Sequence, residues 1–328
     1  MTVPLSAWLA TVLGLAALVV LDVWHARRPR EVHFGEAVTW SLVYIGAAGA
    51  FGVVIAATAG ADAAAQFFAG YLVEKSLSVD NLFVFAVILS QFSVPARHQQ
   101  RVLLIGVIGA LVMRAAFIAA GAAAVQRFTV TFVVFGAFLV YTAVNLVRRH
   151  GEQPNVGDSR AVRLVRRVMP VVEDAADGAF VTRIGGRRAA TPLLIAVVAI
   201  LSVDLVFALD SIPAIFGITS SAYLVFTANA FALLGLRALY FLVVGLLDRL
   251  VHLHYGLAAV LAFIGVKLVL HYGHTVSSKV PEISTGVSLA VVLLILATAT
   301  ATSLLAGRRA RPPTDTGSST EAVAGRRR

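Results

Sequence analysis

The chain is a succession of long apolar runs separated by short polar ones. The runs fall at roughly 5–23, 37–60, 64–91, 101–124, 128–147, 191–217, 222–247, 255–272 and 286–306. Each is long enough to cross about 30 Å of hydrocarbon as a helix. Unpaired backbone groups are costly in lipid, so each run closes its own hydrogen bonds by coiling. The pattern predicts an all-α polytopic membrane protein of about nine transmembrane helices. The first run, Leu5 to Leu21, is followed by Asp22, Trp24 and Arg27-Arg28 without a small-residue cleavage site. It reads as a first transmembrane helix rather than a signal peptide.

Two of the runs are interrupted by polar residues far from their ends. Glu74-Lys75-Ser76-Leu77-Ser78-Val79-Asp80-Asn81 stands in the middle of the third run, and Ser202-Val203-Asp204-Leu205-Val206-Phe207-Ala208-Leu209-Asp210-Ser211-Ile212-Pro213 repeats the feature in the sixth. An ionisable group at that depth costs about 2.5–3.5 kcal/mol on the insertion scale, so each needs a partner, a wet cavity or a bound ion.

Composition narrows the class. Hydrophobic residues make up 59% of the 328 and charged residues only 13%, about half the charge of a soluble chain. Cysteine is absent, which removes disulfides, thiolate nucleophiles and soft thiolate metal sites together. The net charge of +10 comes from arginines in short loops and tails: 21 of the 27 lysines and arginines fall on one side of the predicted topology and two on the other. That bias reports membrane orientation, not nucleic-acid binding. The chain is expected in the inner (plasma) membrane, with the N-terminus outside and the C-terminus cytoplasmic.

Residues 1–63 carry two peripheral helices, 64–147 a first three-helix unit, 148–190 a basic cytoplasmic loop, 191–272 a second three-helix unit, 273–306 a final helix and 307–328 a disordered cytoplasmic tail. The two units are matched by three landmarks. Ser78-Val79-Asp80 aligns with Ser202-Val203-Asp204, Arg114-Ala115-Ala116-Phe117 with Arg237-Ala238-Leu239-Tyr240, and Ala143-Val144-Asn145-Leu146 with Gly265-Val266-Lys267-Leu268. Three helices per unit send the second into the membrane from the opposite side, which makes a 3+3 inverted repeat. In the loop, Leu164-Val165, Val168-Met169 and Val171-Val172 have the spacing of one amphipathic helix on the inner leaflet. A solvated connector, or a surface for a protein partner, are the alternatives.

Glu74, Ser78 and Asn81 share one helical face, as do Asp204, Ala208 and Ser211. Asp80 and Asp210 each follow an acid by six residues, about 120° round an ideal helix, so either each helix has a wide polar flank or it unwinds. Pro213 favours a break in the sixth run. Lys75, Arg114, Arg237 and Lys267 face the acids as supporting charge, and Lys267 has the position of a snorkelling residue. One account of this set is a group of structural salt bridges. The other is a cation site in which the bases neutralise the acids while no cation is bound. Carboxylates, the Asn81 amide, the Ser78 and Ser211 hydroxyls and backbone carbonyls are hard oxygen ligands that suit Mn²⁺, Mg²⁺ or Ca²⁺. His252/His254 and His271/His274 are a weaker metal possibility at an entrance. No nucleophile–base pair or nucleotide motif occurs, so neither an enzyme nor a prosthetic group is expected.

At these residues the sequence resembles the TerC family of integral membrane proteins, grouped with LysE-type exporters. The resembling segments are Glu74 to Phe85, Asp204 to Ala214, Phe226-Thr227-Ala228-Asn229, Leu236 to Phe241 and Phe263 to Lys267, with Trp40 also similar. Ala228 departs from the small polar residue expected before Asn229. The resemblance implies export of manganese or a related divalent cation through Glu74, Asp80, Asp204 and Asp210. It also carries an association with tellurium resistance and with metal supply to exported proteins. Four carboxylates repel an oxyanion, so tellurium resistance would follow indirectly from metal homeostasis. The expected function is therefore a proton-coupled Mn²⁺ exporter. The alternative is a membrane scaffold in a stress-resistance or protein-assembly complex.

Overall fold

A computed structural model describes residues 3–25, 32–148, 159–172, 178–184, 186–243, 253–277, 280–281 and 283–309. Arg27, Arg28, His252 and the tail beyond Arg309 lie outside these residues, as do the side chains of Asp80 and His254. The element order is α1 (Leu5–His25), α2 (Phe34–Ala59), α3 (Ala61–Gln91), α4 (Ala96–Arg127), α5 (Thr131–Arg148), α6 (Arg160–Val168), β1 (Val181–Ile184), β2 (Arg187–Ala190), α7 (Pro192–Phe216), α8 (Ala222–Leu233), α9 (Leu236–Val243), α10 (Leu253–Val276) and α11 (Thr285–Arg309).

Eight stretches among the described residues are long and apolar enough to cross a membrane: α1, α2, α4, α5, α7, the α8–α9 pair, α10 and α11. The remaining expected span is α3. Its 31 residues extend about 46 Å, but it carries the interrupted polar stretch at mid-length. It lies inside the bundle, packed by α2, α7, α8, α9, α10 and α11. Lipid is an unsuitable solvent for Glu74, so the helix that carries it takes its neighbours from protein.

The core is continuous apolar packing in several clusters. Leu82, Phe85, Ile88 and Leu89 of α3 meet Leu193, Ile195 and Ile200 of α7. Phe67 and Tyr71 meet Tyr44, Ile55, Tyr223 and Phe231. α5 and α10 pack closely, with small residues that let the backbones approach. A Cβ on Gly136 would stand 2.7 Å from the Gly265 carbonyl oxygen, and one on Gly265 would stand 2.8 Å from that of Gly136.

Two local features correct the sequence reading. α7 does not break at Pro213. It continues to Phe216, because a proline this near the C-terminal end costs only a last-turn hydrogen bond. The break falls instead between α8 and α9, where Gly235 takes φ 78°, a left-handed conformation that glycine adopts without strain. The 148–190 segment is not bare connector among its described residues. It folds into α6 and an antiparallel hairpin, with Val181 opposite Ala190 and Ile184 opposite Arg187.

Candidate functional site

Arg114 of α4 is fully buried and organises the polar core. Its Nε donates to Asp204 Oδ2 at 3.2 Å and its Nη2 to Asp204 Oδ1 at 2.8 Å, a bidentate clamp on α7. Its Nη1 donates to Glu74 Oε1 of α3 and, at 3.0 Å, to Ser211 Oγ of α7. Three helices therefore meet through one guanidinium, whose rigid fork suits two carboxylates better than an ammonium would. Glu74, Ser78, Asn81, Asp204 and Ser211 are all buried, on the faces that the three- and four-residue spacing predicts. Glu74 Oε2 and Ser78 Oγ have no hydrogen-bond partner among the described residues. A buried oxygen left unpaired costs about 1–3 kcal/mol, more for a charged one.

The other expected members whose side chains are described lie elsewhere. Asp210 is half-buried and accepts a hydrogen bond of 3.1 Å from Thr142 Oγ1 of α5. Since α7 stays helical through Pro213, the six-residue offset turns Asp210 to another flank. Among the described residues, no three His, Asp or Glu side chains converge in a way that could hold a metal ion. Among the described side chains two of the four expected acids, Glu74 and Asp204, meet around Arg114. The bases divide as well. Lys75 Nζ donates to the carbonyls of Ala232 at 3.0 Å and Leu234 at 3.5 Å, not to an acid. It satisfies oxygens that the α8–α9 break leaves without helical partners. Lys267 is buried rather than snorkelling. With His271, Gln66, Thr219, Ser220 and Ser284 it lines a cavity of about 300 Å³.

A family model described as the integral membrane protein TerC family matches residues 59–311. The chain belongs to the TerC family. Among curated proteins, an uncharacterised membrane protein of Mycobacterium tuberculosis is 42% identical over 317 residues, covering 92% of this chain and 79% of the relative. A membrane protein of Myxococcus xanthus is 40% identical, covering 92% of this chain and 93% of its own length. Alx of Escherichia coli, named as a proposed membrane-bound redox modulator, is 39% identical over 269 residues, covering 80% of this chain and 84% of Alx. No solved structure matches the chain.

The TerC match includes Glu74, Arg114, Asp204 and Ser211 but begins only at the last residue of the second helix. The first two helices nevertheless supply a second buried ion pair. Arg237, the landmark counterpart of Arg114, donates from Nη2 to Asp22 Oδ1 of α1 at 2.5 Å, and the Tyr44 hydroxyl of α2 donates to the same oxygen at 2.8 Å. Asp22 escaped the sequence argument because Trp24 and Arg27 behind it look like a membrane boundary. The signal that distinguishes it is an acid within reach of the first apolar run and an in-span arginine elsewhere without an assigned partner.

Proposed function

We propose that this TerC-family protein is a secondary transporter that exports a divalent cation, Mn²⁺ first among candidates, from the cytoplasm across the plasma membrane. The observation that carries this reading is the charge balance around Arg114: two fully buried carboxylates, Glu74 and Asp204, meet one guanidinium. A structural tie would be better made from apolar side chains of the same volume. An excess carboxylate is what a transported cation requires, and Glu74 Oε2 and Ser78 Oγ are oxygens with nothing else to bind among the described residues. With the Ser211 hydroxyl and the Asn81 amide they make a hard, all-oxygen set. Arg114 is the internal counter-charge that yields to the cation. Proton exchange on the same carboxylates supplies the coupling. Asp80, at the position that matches Asp204 in the repeat, and Asp210 are further acids on the route.

The inverted repeat is part of this reading. What supports it is the packing partnership: α3 lies on α8, α4 on α7, and α5 on α10. Two three-helix units related by a two-fold axis exchange contacts in that way, and transporters of this kind hold their site where the units meet. The name given to Alx raises a redox role. This chain contains no cysteine, so any redox effect in the cell would follow from metal supply rather than from a thiol in the chain.

The test is flux in proteoliposomes loaded with a Mn²⁺-sensitive dye, comparing wild type with Glu74→Gln, Asp80→Asn and Asp204→Asn at equal incorporation. These substitutions keep shape and remove charge. Wild type should admit Mn²⁺ and the variants should not. Equal flux through all four would end the carboxylate-site reading. Flux of Ca²⁺ or Mg²⁺ without Mn²⁺ would keep the site and replace the ion.

A further inference from the structure

The segment between α5 and α7 forms a cap fixed to one end of the bundle. Ser159 caps α6 by accepting the Val162 amide at 3.3 Å. Val162 is fully buried in the same cluster as Val94, Val102 and Leu193, and α6 packs on α7. The Thr191 hydroxyl donates to the Ala179 and Phe180 carbonyls at 2.8 and 3.0 Å. The Arg101 guanidinium lies 5.7 Å from the centre of the Phe180 ring. The cap is thus anchored to α4 and α7 at the level where their helices begin.

Among its described residues the outer surface has one sign of charge. Arg160, Arg163, Arg166, Arg167, Arg183, Arg187 and Arg188 are all exposed, and the described residues 159–172 and 178–191 contain no Asp or Glu. Between the arginines stand Leu164, 61% exposed, and Val168, 72% exposed. They are one turn apart on α6, and Leu164 is two residues, or about 200°, from the anchoring Val162. Arg160, Arg163 and Arg167 border that apolar row.

We infer that this face is a lipid-docking surface, seating Leu164 and Val168 in the interface of the adjoining leaflet and binding its anionic phospholipid headgroups through the arginines. Three features favour lipid over a soluble partner. The helix is tied to the membrane end of the bundle, so the ligand is already beside it. Apolar and cationic residues alternate on one face, as an interfacial helix requires. Guanidinium groups bind phosphate through paired hydrogen bonds, and each one near an anionic leaflet strengthens attachment about fivefold. The inference stands apart from the transport reading and survives its failure.

The cysteine-free chain allows a direct test. Leu164→Cys and, separately, Val168→Cys are labelled with an environment-sensitive fluorophore and placed in nanodiscs of phosphatidylcholine alone or mixed with phosphatidylglycerol. The expected result is blue-shifted emission, and quenching by acyl-chain nitroxides, in the mixed bilayer only. High salt should reverse both. Arg163→Glu/Arg167→Glu should weaken the retention of phosphatidylglycerol at least about 25-fold, from two such factors. As a check independent of folding, native mass spectrometry of the unmodified protein should retain phosphatidylglycerol over phosphatidylcholine. A water-exposed probe in both bilayers, equal contact with both lipids, or burial of the probe only on adding an acidic protein would each overturn the inference.

Discussion

If Arg114 is the counter-charge that a cation displaces, removing it should both weaken the protein and sharpen its response to metal. In Arg114→Gln, Asp204 loses its bidentate clamp and Glu74 its guanidinium contact, while both stay buried. Leaving a buried charge without its partner costs about 3–5 kcal/mol. At about 2 °C per kcal/mol this lowers the thermal midpoint by roughly 6–10 °C. A divalent cation supplies the missing positive charge, so the variant should recover most of that loss in Mn²⁺. A ligand at a hundred times its dissociation constant contributes about 2.7 kcal/mol. The assay is thermal unfolding in detergent followed by tryptophan fluorescence, with chelator or with a Mn²⁺ titration. Wild type should shift less than Arg114→Gln, because there the cation must first displace the guanidinium. Arg114→Gln/Asp204→Asn should lose the metal response. A variant as stable as wild type in chelator, or equal Mn²⁺ shifts for both, would refute the reasoning.

Three further outcomes follow from the packing. Gly136→Ala and Gly265→Ala each place a methyl against the other helix's carbonyl oxygen, at 2.7 and 2.8 Å, and should each cost about 1–3 kcal/mol. Gly46→Ala, where nothing lies within 4 Å, should be neutral or stabilising by the same unfolding assay. Gly235→Ala meets both a positive φ and the Tyr44 ring at 2.6 Å. It should lose at least about 1–2 kcal/mol and disturb the Lys75 contacts at the α8–α9 break, and a wild-type midpoint would contradict the structure. Asp22→Asn should cost about 3 kcal/mol by leaving Arg237 without its counter-charge. The double variant Asp22→Asn/Arg237→Gln should be less destabilised than the sum of the singles, and simple additivity would deny the pairing.

The comparison of sequence with structure shows which physical signals survive projection onto one dimension. Glu74, Arg114 and Asp204 are legible because charge in an apolar run has few explanations, and period 3.6 puts Ser78, Asn81 and Ser211 on faces that the structure buries. What the chain could not show is which face meets which helix. Lys75 is as conspicuous as Glu74 beside it, yet it turns to another helix, to the carbonyls of Ala232 and Leu234. Those oxygens are available only because Gly235 interrupts the helix, and a lone glycine in an apolar run carries no visible mark of a break. Pro213 is a strong breaker by type, but its effect depends on how many helical residues follow, and only three do. Asp22 was hidden for the converse reason, since its neighbours match a membrane boundary while its partner lies 215 residues away. Burial of a charge is therefore readable from the neighbours along the chain, and its purpose only from the neighbours across it. For this fold the second kind of neighbour separates Arg114, which faces two acids, from Arg237, which faces one among the described residues. That asymmetry is the reason the proposed cation site is assigned to the Arg114 centre and not to its counterpart.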